Sequence, residues 1–406
     1  MIINDTAFLC GYFSCKQTAA TELFASRSET WTAVQYSERE LNEAKNFYYP
    51  EFADLHMSKV KTFSHKVDRD IPLTFRDGSS HTVRIQELQA YIFPFGIIQY
   101  SIRVSQAGQE VQNVLDALFM MRNICTLPQD AAGEYVKYAL APLSEICEAA
   151  GNSGEFHALM ECGNKLKIFH TIECQEKPEG EFSFDNLLYG GGTLSVFKSG
   201  APMGFSDEYY KSILSGNKLS IFNNWEALAL LDTFTIVTYE TKEYLLELWN
   251  KEYFEKLYLH SLFRKFFLFR INGDFRSESR SIAQIRKDLS LFENEYTFPR
   301  KSYNFLPEEL SRSMEKGLDI DDEIKKVAEI IDKENARREA ETGDKMNLFL
   351  GVITCLTLFS AIWDFACLMD GVFEFSSNIG TATGIRACTM VLIAAICLIA
   401  IFVKRK

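Results

Sequence analysis

Two apolar stretches near the end of the chain restrict its fold more than any other feature of the sequence. They cover residues 346–369 and 387–403, and the basic triplet Lys404-Arg405-Lys406 follows the second. Each is close to the roughly 20 residues a helix needs to cross the hydrocarbon core of a bilayer. The sequence therefore predicts a two-helix C-terminal transmembrane hairpin, residues 346–406, hung on a much larger water-soluble body. So short a membrane part can enclose a pore only by assembling with copies of itself.

Charge sets the expected orientation. Arg337, Arg338 and Lys345 precede the first stretch, and the segment joining the two holds no Lys or Arg until Arg386 at its far edge. By the positive-inside rule both termini are expected in the cytoplasm and only the short loop outside. The expected location is the inner (plasma) membrane, with lipid as a partner. The first residues, Met1 to Thr6, carry no basic region and no long apolar core, so no signal peptide is expected.

The net charge is −12, which disfavours a general nucleic-acid-binding surface, and no nucleic-acid partner is expected. The ten cysteines show no CxxC pair and no metal-ligand spacing. Cys355, Cys367, Cys388 and Cys397 lie in the apolar stretches, where Cys acts as a small apolar residue. The other six fit reduced cytosolic thiols.

Residues 1–236 read as a cytosolic α/β (α+β) sensing domain. A strand at 72–75, a turn at Asp77-Gly78 and a returning strand at 81–86 make one expected hairpin. A second is expected within 88–104, bent at Pro94-Phe95-Gly96. Helical periodicity marks 109–123 and 129–150, and β-type patterns return at 165–172 and 218–240.

Residues 237–345 read as a long helical stalk region. Its first helix is expected to be capped by Thr241 and to stop at Gly273; a second is expected over 277–295. The first is crowded with aromatics, among them Trp249, Tyr253, Phe254, Tyr258, Phe263, Phe266 and Phe267. They are expected to pack a bundle rather than stack on bases, because the net charge is wrong for nucleic acid. From Pro307 one helix is expected to run through to Met369, on the order of 90 Å at 1.5 Å per residue. Neighbouring copies are the natural partners for such a rod.

The first apolar stretch has a polar side. At 100° per residue, Asn347, Leu350, Thr354, Thr357, Ser360, Ala361 and Asp364 share one face. An ionisable residue inside a span is costly unless it meets water or a partner, which makes Asp364 a functional candidate. In one reading Asp364 forms an ion pair with Arg386. In the other, one Asp364 per copy makes a ring that attracts cations. Thr354 and Thr357 then line the pore, with Asn347 and Leu350 at its cytosolic constriction.

Two motifs in the soluble part invite a ligand reading. Gly190-Gly191-Gly192-Thr193, with Lys198 nearby, could approach a phosphate, but it lacks the GxxxxGK[ST] spacing and also fits a plain glycine turn. Asp319, Asp321, Asp322 and Glu323 could hold a regulatory divalent ion or form a solvated, salt-bridged helix face. The six histidines have no paired spacing, and no nucleophile–base pair is apparent. Neither enzymatic activity nor a covalent cofactor is expected.

This order of parts resembles the CorA family of magnesium transporters: a cytosolic α/β domain, long stalk helices, two spans joined by a short outer loop, and a basic tail. The resemblance implies a homopentamer whose first spans line a pore for Mg²⁺ or another divalent cation. The family's Gly-Met-Asn motif at the outer mouth is replaced here by Leu368-Met369-Asp370. There Asp370 would attract a cation as a full charge rather than as an amide bonding the ion's retained waters. Divergent members without the motif resemble membrane effectors of type III CRISPR systems, which implies gating by a nucleotide second messenger, S-adenosylmethionine coupled to AMP. The expected functions are therefore a ligand-gated defence channel, a constitutive Mg²⁺ transporter, or a membrane-anchored scaffold without a pore.

Overall fold

The computed structural model describes residues 1–75, 77–124, 129–151, 165–194, 206–277 and 280–373. The chain divides into two compact units, Met1–Val327 and Ala328–Lys406. The first is an α/β unit built on one mixed sheet.

Among the described residues nine strands form that sheet: β1 (Ile2–Ser14), β2 (Thr32–Val34), β3 (Lys61–Thr74), β4 (Ser80–Phe93), β5 (Ile97–Glu110), β6 (Lys167–Cys174), β7 (Lys218–Phe222), β8 (Trp225–Ala229) and β9 (Thr233–Tyr239). Their order is β2-β3-β4-β5-β1-β6-β9-β8-β7. Neighbours run antiparallel except β6 and β9, which are parallel. The two expected hairpins are real but share a strand, because 81–86 and 88–93 both belong to β4. In the first turn Ser79 donates to the Asp77 carboxylate and Gly78 takes φ +84°. In the second, Phe95 and Gly96 have φ of 60° and 70°. A Cβ at Gly96 would stand 2.5 Å from the Cys15 carbonyl oxygen, so glycine is required there twice over.

Helices cover both faces of the sheet. On one, Ile3, Ala7, Leu9 and Phe13 of β1 join Leu88, Ala90 and Ile102 in a core with Phe24 of the helix Gln17–Ser26 and Leu115 and Leu118 of the helix Val111–Arg122. On the other, the chain beyond β9 runs as a helix through Glu243–Leu248, Trp249–Tyr258 and Leu259–Arg276. Its aromatics stack on the strands, Phe254 on Phe8 at 3.7 Å, Phe266 on Tyr12 at 4.5 Å and Phe263 on Phe93 at 4.7 Å between ring centroids. Such pairs add about 0.5–1.5 kcal/mol each beyond the area they bury. The aromatic crowding thus serves sheet–helix packing, not a free-standing bundle.

Three helix boundaries differ from expectation. Lys242, not Thr241, is the N-cap of the first. Gly273 does not stop that helix: it lacks the left-handed conformation of a C-cap, and the helix continues to Arg276. The next starts only at Ile282, where Ser281 and Gln284 form a capping box. The rod expected from Pro307 is broken as well. A first helix, Phe305–Gly317, packs its Leu310 and Met314 inside the unit, and a Cβ on Gly317 would lie 2.7 Å from that of Ala229. Asp319 then takes φ +55°, and a new helix, Ile320–Phe373, begins. Its 54 residues span about 80 Å. Within Ala328–Lys406 the described chain is this helix alone.

Candidate functional site

The glycine motif forms no phosphate loop and no turn. Gly190, Gly191, Gly192 and Thr193 are the last residues of the helix Phe184–Thr193, whose N-cap Ser183 accepts from Asn186 N–H. All three glycines are buried against the sheet. A Cβ on Gly191 would come within 2.7 Å of Thr235 Cγ2 and 3.2 Å of His170 Nε2; one on Gly192 would come within 2.8 Å of Leu228 Cδ2. These glycines exist for close helix–sheet approach. Lys198 lies outside the described residues.

Beneath Gly191, His170 spans Asp5 and Thr235, with Nδ1 3.0 Å from Asp5 Oδ1 and Nε2 2.8 Å from Thr235 Oγ1. The residue types resemble an acid–histidine–hydroxyl relay, but all three are sealed from solvent. A substrate has no approach to them. Their bonds tie polar groups together inside the core, with only Asp5 Oδ2 left without a hydrogen-bond partner.

The acidic run is drawn apart by cations. Glu323 pairs with Lys265, Asp321 lies 3.7 Å from Arg264, and Asp322 lies 3.8 Å from Lys325. Asp319 occupies the break before the long helix. Among the described residues no three His, Cys, Asp or Glu side chains are placed to hold a metal ion.

Asn347, Leu350, Thr354, Thr357, Ala361 and Asp364 all lie on the long helix and are exposed. Thr354 donates to the Leu350 carbonyl at 2.8 Å and Thr357 to that of Thr354 at 2.9 Å. Leu348, Phe349, Leu356, Leu358 and Phe365 are exposed beside them. By length and composition this helix can cross a membrane. Leu368, Met369 and Asp370 fall in its last turns. The second apolar stretch and Arg386 lie outside the described residues.

A site that no motif announced lies on the aromatic face of the sheet. It is a cleft of about 430 Å³ with Phe8, Glu87, Gln89 and Arg103 for a floor. Asn250, Lys251 and Glu255 form one wall, and residues 34–36 the other. The size is ordinary for a small-molecule site. Two departures from regular geometry build it. The β4–β5 register shifts between Ile85 and Glu87. Ile85 and Leu88 therefore both face the opposite core, and Glu87 and Gln89 turn toward the cleft. The wall is a π-helical segment, Trp249–Tyr258, whose wider turn buries Phe254 and Tyr258 while Asn250, Lys251 and Glu255 reach the opening. π-turns of this kind are frequent at functional sites.

The cleft is strongly polar. Glu87 accepts from Ser64 Oγ at 3.0 Å and lies 3.4 Å from Arg103, whose guanidinium sits over the Phe8 ring. Lys256, only 2 % exposed, stands 3.5 Å from Glu252 and 3.9 Å from Glu255, over the Tyr36 ring. Burial raises the Glu255 carboxyl above the usual range against the opposing pull of Lys256. Burial and then the Glu255 charge push the Tyr36 hydroxyl up as well. Glu255 Oε2 and Arg103 Nε have no hydrogen-bond partner. A cleft of this size with convergent polar groups is equipped to bind.

Sequence reasoning missed this cleft because its residues come from five separated segments. The only local signal was the run of Glu and Lys interleaved with aromatics between 247 and 258. No protein-family model matches the chain, and neither a curated protein nor a solved structure matches it.

Proposed function

We propose that this protein is a CorA-like, homopentameric membrane cation channel, gated by a small ligand bound in the soluble unit. It would serve as a membrane effector answering a nucleotide second messenger such as S-adenosylmethionine coupled to AMP. In this reading residues 387–403 form a second span, both termini face the cytoplasm, and Asp364 lines the pore with Thr354, Thr357 and Ala361.

One observation carries the proposal. The helical rod that walls the cleft also grips the root of the membrane-length helix. Its early residues, Asn250, Lys251 and Glu255, line the cleft. Further along, buried Arg264 bonds Glu315 at 2.6 Å and approaches Asp321, while Lys265 holds Glu323. Glu315 also takes Lys301 at 2.6 Å. Burial opposes its ionisation, and Lys301 with Arg264 overcomes this and holds the carboxyl below the usual range. A change of register in the π-helical wall would be felt at that clamp, which gives ligand binding a route to the root of the long helix.

The test is ion flux in liposomes carrying the full chain, with and without candidate nucleotides, comparing the parent with Asp364→Asn. Nucleotide-dependent cation flux that falls about tenfold or more in Asp364→Asn is the expected result. Nucleotide-independent Mg²⁺ uptake overturns it in favour of a constitutive transporter. A correctly assembled protein without flux under any condition overturns it in favour of a scaffold.

A further inference from the structure

The cleft carries more carboxylates than cations. Glu40, Glu87, Glu247 and Glu255 line it against Arg103 and Lys251. Arg103 is committed to Glu87, and Lys256 behind the wall is shared between Glu252 and Glu255, which leaves Lys251 as the one lining cation without an ion pair among the described residues. Both nearby aromatic rings already hold a protein cation, Arg103 over Phe8 at 5.4 Å and Lys256 over Tyr36 at 5.6 Å. That is the arrangement a cation-favouring field produces. Glu255 is 16 % exposed, and its Oε2 lacks any hydrogen-bond donor. Leaving a largely buried carboxylate oxygen unpaired is costly, and a donor arriving from the opening would remove that cost.

We propose that the cleft binds an organic ammonium or guanidinium group, with Glu255 and Glu87 as its acceptors and Phe8 and Tyr36 flanking the attached carbon skeleton. A phosphate would be repelled there, so any messenger seated in this cleft enters by a cationic end. The proposal rests on the ligand-gated reading only for its consequence at the pore, not for the binding itself. Ligand N–H groups donate to the Glu255 carboxylate, forming charge-assisted hydrogen bonds, which are among the strongest that proteins make. Glu87 is held ready by Ser64, which fixes its carboxylate orientation.

Calorimetry on the full chain in lipid nanodiscs tests the proposal. The probe is phenethylammonium, with 2-phenylethanol and 3-phenylpropionate as neutral and anionic controls of similar shape. Phenethylammonium is expected to bind at least about tenfold more tightly than either control, and Glu255→Gln to weaken it by about tenfold or more. Glu87→Gln serves as a second variant, with the same direction expected. Absence of binding up to about 10 mM overturns the proposal. So does equal binding of the neutral control, or retention of affinity in both variants. Because the readout is binding, a protein that takes the cation yet passes no ions sinks the channel reading and leaves this one standing.

Discussion

The two faces of the central sheet each bury a polar cluster, and they treat it in opposite ways. Under the helix Phe184–Thr193, Asp5, His170 and Thr235 are joined by two short hydrogen bonds and covered by glycines packed too closely to admit a Cβ. Across the sheet, Glu87, Arg103 and Glu255 are met by a bulged strand and a π-helical wall that leave a cleft. The first cluster borrows the residue types of a catalytic relay and is closed. The second uses unremarkable residues and is open. Accessibility, rather than residue type, separates a structural polar core from a binding site.

Substitution can break or sharpen this contrast. The largest effect is expected from His170→Ala, which opens a cavity and strips the buried Asp5 Oδ1 of its partner. Unfolding of the full chain in denaturant should show a loss of about 3 kcal/mol. A parent-like midpoint would mean that the closed cluster is not closed. Gly191→Ala should come next, at about 1–3 kcal/mol, because its Cβ meets Thr235 and His170 and the helix must lift.

The smallest effect has the opposite sign. Glu255→Gln removes a carboxyl whose ionisation burial resists, while Lys256 keeps Glu252 as a partner. The variant should melt about 2 °C higher than the parent at neutral pH in the absence of ligand. Since the folded state holds this proton more tightly than the unfolded chain, the parent gains stability as pH falls from the raised value toward the ordinary 4.5. The advantage of the variant should vanish across the same window in a pH series of melting curves. A variant less stable than the parent at neutral pH would place Glu255 with the closed cluster.

Where local chemistry decides the conformation, the sequence was readable. Asp77-Gly78 and Pro94-Phe95-Gly96 announce their turns, and the alternation between them announces β4. The central strand β1 was not visible, because from Ala7 to Phe13 it is buried on both faces and shows no alternation. The break at Leu318–Asp319 also escaped notice: Gly317 is used there to meet Ala229, a partner far away in sequence. The glycine motif misled for the same reason, since close packing and phosphate binding make one demand of the sequence, absence of a Cβ. The cleft depends on strand order β4-β5-β1 and on a π-turn, and neither leaves a local signature.

The placement of β1 has a consequence for how the protein is made. Ile2–Ser14 is translated before both of its neighbours, β5 and β6, so it must wait for Cys174 before both its edges are covered. The parallel partner of β6 ends only at Tyr239. Until then, a strand rich in aromatic and aliphatic side chains is held half-paired, the kind of segment that chaperones shield. The first membrane-length stretch begins roughly a hundred residues later, which at roughly 5–20 residues per second gives the sheet roughly 5–20 s to close. Synthesis order therefore lets the sheet finish its most aggregation-prone step before the membrane-length stretch emerges.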